Sequence, residues 1–109
     1  MLHEEGFHVF ETQYGEETLQ LAHEHRPHLI VLDMHMPPPF WPEVMQQLQA
    51  DPIVQRIPVI GITPFAWRDA KKILMEAGFA GGFPKPYSKR VVLSTVAGVL
   101  TEGTSWANL

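Results

Sequence analysis

Cysteine is absent from this sequence of 109 residues, and basic residues are few. Without cysteine the chain has no disulfide framework and no thiolate metal site, which suits a reducing cytosol. Eight Lys and Arg stand against twelve Asp and Glu, and the formal net charge is -4. Binding to nucleic-acid phosphates needs a concentrated basic patch. We therefore expect no nucleic acid among the partners of this domain.

Long apolar runs are also missing. A membrane-spanning helix needs roughly 20 consecutive apolar residues, and no run in this sequence approaches that length. The N-terminus carries His3, Glu4 and Glu5 instead of the basic and apolar regions of a signal peptide. A chain of this length can form one domain with its own hydrophobic core. The sequence thus predicts a single soluble, cytoplasmic domain without a membrane partner.

The most informative stretch is HLIVLDMHMP, which starts at His28. Four aliphatic residues precede Asp33, and a strand that is apolar on both sides is typical of a parallel sheet covered by helices on both faces. Prolines at 37–39 stop strand and helix alike, so Asp33 opens a loop at the carboxyl end of its strand. Open α/β sheets bind their ligands at that end. A turn-capping aspartate is the alternative, and this stretch alone does not choose between the two.

Strand and helix patterns alternate along the chain, which predicts right-handed βαβ units and a parallel sheet. Proline at a helix start, glycine after a helix end and serine as an N-cap set several of the boundaries. The predicted strands are 7–11, 28–32, 59–62 and 79–83, and the predicted helices are 16–25, 42 to about 51, 67–77 and 89–100. We interpret residues 101–109 as a frayed tail or an interdomain linker stub.

Four sequence patches occur in the order found in one known family. They are Gly6-Phe7 with Tyr14-Gly15-Glu16-Glu17-Thr18-Leu19, then Leu32-Asp33-Met34-His35-Met36-Pro37, then Pro58-Val59-Ile60-Gly61-Ile62-Thr63, and finally Ala77-Gly78 with Lys85-Pro86. Through these patches the chain resembles the receiver domain of two-component response regulators. We therefore interpret residues 1–100 as a receiver domain. The resemblance implies a flavodoxin-like (CheY-like) α/β fold, with a parallel sheet and flanking helices.

The resemblance also implies roles for particular residues. Asp33 would be the nucleophile that takes a phosphoryl group from the phosphohistidine of a sensor histidine kinase or a phosphotransfer protein. Thr63 would hydrogen-bond one phosphoryl oxygen, and Lys85 would pair with another. Mg²⁺ would be held by Asp33 and by the backbone carbonyl of His35. The family also commonly has a cis peptide at the position of Lys85-Pro86, and its role is phosphorelay signalling and not enzymatic turnover.

The first departure from the family lies at the N-terminus. The family's first strand ends in an acidic pair that supplies most of the Mg²⁺ ligands, and this chain starts too late to contain that strand. His3, Glu4 and Glu5 precede the next strand, at its wrong end for the site, and do not replace the pair. A hard cation would keep one protein carboxylate and one carbonyl. We therefore expect four strands instead of five, weak Mg²⁺ binding and inefficient phosphorylation.

Two further departures concern the surroundings of the expected site. Gly82, three residues before Lys85, stands where the family usually has an aromatic residue that swings inward on activation. The loops after Asp33 and Thr63 contain more proline and more apolar residues than the family tends to have. Four aromatic residues fall in or after these loops, namely Phe40, Trp41, Phe65 and Trp67. They fit either core packing or a protein-binding patch.

Three functions stay open. The chain could be a receiver that accepts a phosphoryl group on Asp33 in its full-length form, or a truncated or degenerate pseudo-receiver that works by protein association. A small hydrolase or transferase is disfavoured, because no nucleophile and base pair, phosphate loop or carboxylate dyad is present. A zinc site at His23, His25 and His28 is disfavoured too, since the first two face different sides of a helix and Pro27 breaks that helix before the third.

The missing first strand also predicts self-association. In the family the strand order is 2-1-3-4-5, so its loss leaves a gap between strands 7–11 and 28–32. Unpaired backbone in a core costs about 1 to 3 kcal/mol for each group. Either strand 7–11 moves in to pair with strand 28–32, or a second chain fills the gap. One sheet face would keep only the broadly apolar helix 89–100, and we expect a homodimer or higher oligomer that buries this face.

Overall fold

The computed structural model describes residues 15–36 and 39–108, and these residues form a parallel sheet flanked by helices. The strand order is β1-β2-β3-β4, and each neighbouring pair is parallel. The elements are α1 (Gly15–His25), β1 (Ile30–Asp33), α2 (Trp41–Ala50), β2 (Val59–Thr63), α3 (Trp67–Glu76), β3 (Gly81–Pro84), α4 (Lys89–Glu102) and β4 (Ser105–Trp106). The predicted α/β architecture is confirmed. The predicted strand 7–11 lies outside the described residues.

The sheet separates two apolar clusters, because successive side chains of a strand point to opposite faces. Val59 belongs to the cluster under α1, α2 and α3, whereas its neighbour Ile60 belongs to the cluster under α4. Leu74 is fully buried in the first cluster, and Phe83 is 1% exposed in the second. Both clusters are built from aliphatic strands and amphipathic helices, as the sequence pattern predicts. This packing fixes the carboxyl ends of β1, β2 and β3 next to one another.

Local signals in the sequence set the helix boundaries as expected. Pro42 lies in the first turn of α2, where its missing N–H costs nothing. The Ser88 side chain accepts a hydrogen bond from the Val91 amide and caps α4. Gly78 follows α3 with a φ of 92°, a left-handed conformation that suits glycine. The turn chemistry of these positions is therefore consistent with the fold.

The C-terminal residues differ from the prediction, since they form neither a frayed tail nor a linker. α4 continues to Glu102, Gly103 turns the chain with a φ of 92°, and β4 pairs with β3. Gly81 permits this pairing, because a Cβ atom there would lie 2.2 Å from the Ser105 carbonyl oxygen. Ala107 is only 7% exposed. The domain therefore extends beyond residue 100.

In the described part of the chain, no helix has the length and apolar character needed to cross a membrane.

Candidate functional site

Asp33 ends β1 and has a donor on each carboxylate oxygen. Its Oδ1 accepts a hydrogen bond of 2.9 Å from the His35 amide, and its Oδ2 lies 2.7 Å from Lys85 Nζ. The Asp33 side chain is 42% exposed, so the carboxylate is open to solvent and to a reacting group. The bond to His35 is the local turn that an aspartate forms with the amide two residues later. The geometry therefore confirms the turn-capping interaction, and the role of Asp33 as a site residue stays a prediction.

Lys85 reaches Asp33 because β3 ends beside β2. The Lys85 amide donates to the Thr63 carbonyl oxygen at 2.8 Å, which ties the residue after β3 to the end of β2. The Lys85-Pro86 peptide is cis, as the family resemblance implied. Asp33 and Lys85 are 52 positions apart in the sequence, and only the sheet brings their side chains together. A charge-assisted hydrogen bond of this kind is among the stronger polar contacts in proteins.

Thr63 lies between these two residues on the sheet. The register places Ile62 opposite Asp33 and Thr63 opposite Pro84. The Thr63 side chain is fully buried, and its Oγ1 accepts a hydrogen bond of 3.0 Å from the Phe65 amide. A hydroxyl that accepts one hydrogen bond still has its own O–H to donate. Asp33 and Thr63 thus end β1 and β2, and Lys85 directly follows β3 at the same edge of the sheet.

The described residues do not by themselves fit a magnesium ion. Mg²⁺ takes octahedral oxygen coordination and is usually bound through one or two carboxylates together with water. Across residues 15–36 and 39–108, no group of three or more His, Cys, Asp or Glu side chains could hold a metal ion. Asp33 brings one carboxylate, and Lys85 and the His35 amide already donate to its two oxygens. The His35 carbonyl stays a predicted ligand.

The four loop aromatics do not form one patch. Phe40 is 54% exposed and Phe65 is 63% exposed, so these two extend into solvent. Trp41 packs edge-on against Phe79, with the ring centroids 5.5 Å apart, and Trp67 is partly buried against both apolar clusters. Core packing therefore accounts for the two tryptophans. The protein-binding patch stays a prediction for the two phenylalanines only.

Sequence reasoning missed the importance of Trp67. A Cβ atom on Gly82 would lie 2.9 Å from Leu74 Cδ1 and 3.2 Å from a ring carbon of Trp67, so the indole borders the space beside this glycine. Trp67 Nε1 also donates to the Ala107 carbonyl oxygen at 3.0 Å. The signal available in the sequence was Gly82 itself, which stands where the family usually has an aromatic residue. Nothing in the residue pattern linked Trp67 to the C-terminal strand.

His23 pairs with Asp51 and not with the other histidines. His23 Nε2 lies 2.5 Å from Asp51 Oδ2, which joins α1 to the residue after α2. The Ile53 amide donates to Asp51 Oδ1 at 2.9 Å. Hydrogen bonding from Ile53, and after it from His23, holds the pKa of the Asp51 carboxyl below its ordinary value. This junction therefore depends on the ionised carboxylate.

We expect the stability contributed by Asp51 to fall at acidic pH. A lowered folded-state pKa stabilises the fold above the unfolded pKa of about 3.9, and the contribution is lost as the pH falls through the folded value. Urea unfolding between pH 7 and pH 2.5 should show a shallower acidic decline for Asp51→Asn than for the wild type. Glu102→Gln, which removes an exposed carboxylate elsewhere, is the control. Equal slopes for Asp51→Asn and the wild type would contradict the assignment.

Comparison with known proteins assigns this chain to one family. The family model of the response regulator receiver domain matches residues 1–97. The polar-differentiation response regulator DivK of Brucella anthropi is 34% identical over 95 residues, which cover 87% of this chain and 77% of that protein. DivK of Brucella ovis is 33% identical over the same shares of the two chains.

Solved structures show the same fold. A putative response regulator from Chloroflexus aurantiacus superposes with a TM-score of 0.85 at 23% identity, covering 93% of this chain and 83% of that one. The chemotaxis response regulator CheY4 of Vibrio cholerae gives a TM-score of 0.81 at 24% identity, with 91% and 82% covered. The fold is thus CheY-like. This chain belongs to the response regulator receiver domain family of two-component signalling.

Proposed function

We propose that Asp33 is the phosphoacceptor of this receiver domain and that a sensor histidine kinase or a phosphotransfer protein is its donor. The observation that carries the proposal is the 2.7 Å contact between Lys85 Nζ and Asp33 Oδ2, with Thr63 ending the strand between them. The exposed carboxylate is a nucleophile, and the lysine beside it is a cation that can stabilise charge on the phosphoryl oxygens. A cytoplasmic location suits this role and the absence of cysteine.

The residues of the site suit phosphoryl transfer. A carboxylate oxygen of Asp33 attacks phosphorus, the new O–P bond forms, and the N–P bond to the donor imidazole breaks with its electron pair going to nitrogen. Phosphoryl transfer depends mainly on positioning and on stabilising charge on the phosphoryl oxygens. The Lys85 ammonium supplies positive charge to one of these oxygens. The Thr63 hydroxyl can donate to another if it turns toward the site.

The proposal is tested by locating the label. The protein is incubated with acetyl phosphate and with a phosphorylated histidine-containing donor, and peptide mass spectrometry identifies the modified residue. We expect modification of Asp33, none in Asp33→Asn, and an unchanged result in Asp69→Asn, which alters another exposed aspartate. Modification elsewhere, or none after prolonged incubation, would overturn the proposal and favour a pseudo-receiver that acts by protein association.

We also propose that the chain forms a homo-oligomer through the sheet face under α4. In the described part of the chain, α4 is the helix packed against the cluster around Ile60 and Phe83. Leu29, Val31 and Ile62 are only partly buried at the margin of this cluster. Partly covered apolar surface of this kind favours association between copies.

Self-association should respond to a charge placed on α4, the helix that packs against this face. Leu100 is 44% exposed near the end of α4, and we expect Leu100→Lys to shift a dimer toward monomer in sedimentation velocity at micromolar concentration. The matched control is Met75→Lys, which alters a 51% exposed residue near the end of α3. A wild-type chain that sediments as a well-folded monomer would count decisively against the proposal.

A further inference from the structure

Trp67 connects the C-terminal strand to the rest of the sheet. Its indole Nε1–H donates to the Ala107 carbonyl oxygen at 3.0 Å, and its ring lies 6.5 Å from the Trp106 ring, measured between centroids. The strand β4 itself has only two residues. Its amides at Ser105 and Ala107 donate to the carbonyl oxygens of Ala80 and Gly82. So short a strand belongs to the parts of a fold that open most easily, and the indole hydrogen bond adds to the few backbone hydrogen bonds that hold it.

Trp67 is also close along the chain to Thr63, which ends the strand beside Asp33. It begins α3, four positions after Thr63, and the turn between them is fixed by the hydrogen bond from the Phe65 amide to Thr63 Oγ1. If the Thr63 hydroxyl turned toward a group on Asp33, Phe65 would lose this acceptor. The turn at 64–66 would then move, and it leads directly into the first turn of α3. A shift of this turn would move the start of α3, and with it the indole whose 3.0 Å hydrogen bond to Ala107 holds β4.

We propose that Trp67 couples the Asp33 site to β4, so that a phosphoryl group on Asp33 loosens residues 105–107 from the edge of β3. The trigger, phosphorylation of Asp33, rests on the proposed function. The coupling between Thr63, Trp67 and β4 does not. Loosening uncovers the Ala80 and Gly82 carbonyl oxygens, which are the acceptors that β4 now uses. The two states therefore differ in defined hydrogen bonds, as an allosteric coupling requires.

The coupling can be measured without any phosphorylation by a double-mutant cycle on amide hydrogen exchange. The Ser105 and Ala107 amides report on β4, and the Gly103 amide, which donates to the Val99 carbonyl oxygen, reports on the end of α4 as an internal control. Trp67→Phe removes the indole donor, and we expect it to speed exchange in β4 by about fivefold. Trp41→Phe is the matched control, because Trp41 also begins a helix but packs against Phe79.

Thr63→Val keeps the shape of the side chain and removes the hydroxyl. We expect it to speed β4 exchange roughly threefold in the wild type and to have no effect in the Trp67→Phe background. An equal effect in both backgrounds, or none in either, would overturn the coupling. The Trp67 indole proton gives a second measurement that needs no change at position 67. Thr63→Val should move its NMR signal to lower chemical shift and leave the Trp41 indole in place, and an unmoved signal would contradict the proposal.

The trigger is tested separately in the full chain with acetyl phosphate. Mass spectrometry shows whether Asp33 carries a phosphoryl group, and hydrogen exchange is measured on the same sample. Modified protein with faster exchange at Ser105 and Ala107 supports the complete proposal, and modified protein with unchanged exchange overturns it. Unmodified protein defeats the proposed function and the trigger, whereas the double-mutant cycle still decides the coupling.

Discussion

Millimolar Mg²⁺ is expected to leave the rate at which acetyl phosphate labels Asp33 nearly unchanged, and labelling is expected to be slow. The reason is that few of the described protein groups near Asp33 can bind Mg²⁺. In the portion of the chain that the structure describes, Asp33 contributes a single carboxylate, and no group of three or more metal-ligating side chains exists. With weak metal binding, Lys85 becomes the main cation beside the transferring group. The measurement is the initial labelling rate with Mg²⁺ and with EDTA, and Asp33→Asn is the blank.

A second variant distinguishes a metal-driven reaction from a lysine-driven one. Lys85→Met removes the ammonium but keeps an unbranched side chain, and we expect it to lower the Mg²⁺-free rate by roughly tenfold or more. Lys89→Met, at the exposed start of α4, is the matched control. Strong activation by Mg²⁺ that disappears in Asp33→Asn would contradict the prediction. It would mean that the ligand set at Asp33 is larger than the carboxylate seen among the described residues.

The fold and the neighbouring ends of β1 and β2 were predictable because they depend on local patterns. The aliphatic run before Asp33 predicted a buried strand, and β1 is that strand, although only Leu32 of its four residues is buried. The PVIGIT pattern likewise predicted β2, which ends at Thr63. Since parallel strands end at one edge of a sheet, the two residues had to be neighbours. The direct contact between Lys85 and Asp33 was not predicted, because the family resemblance implied only that Lys85 pairs with a phosphoryl oxygen and the spacing of the two residues sets no distance.

The C-terminal strand could not be predicted from its own sequence. β4 has two residues, too few to show an alternating pattern, and it is held by β3 and Trp67 and not by its own propensity. The signals were indirect, namely a glycine at 103 that ends α4 and a glycine at 81 that leaves room for the Ser105 carbonyl. Tertiary contacts therefore decide the structure of this segment.

A large loss of stability is also expected when an aromatic residue, as is usual in the family, is placed at position 82. Gly82→Tyr places a Cβ atom 2.9 Å from Leu74 Cδ1 and 3.1 Å from the Gly61 carbonyl oxygen, and a backbone atom cannot give way as a flexible side chain can. The ring must then displace Trp67, which breaks the indole bond to Ala107. Overpacking costs about 1 to 3 kcal/mol and a lost hydrogen bond about 1 kcal/mol, so the free energy of unfolding should fall by roughly 2 to 4 kcal/mol.

Urea unfolding of four proteins tests whether Trp67 is the residue displaced. Trp67→Ala alone should be strongly destabilising, but Gly82→Tyr combined with Trp67→Ala should cost less than the sum of the two single changes, by about 1 kcal/mol or more. Ser94→Tyr, on an exposed position of α4, is the control for adding a tyrosine and should change stability by no more than about 0.5 kcal/mol. Two results would show that Trp67 is not the residue displaced by an aromatic ring at position 82. One is a double variant whose loss of unfolding free energy equals the sum of the two single losses, and the other is a Gly82→Tyr variant as stable as the wild type. In that case an inward aromatic at position 82 and the Trp67 indole could be present together, and the two would not exclude each other.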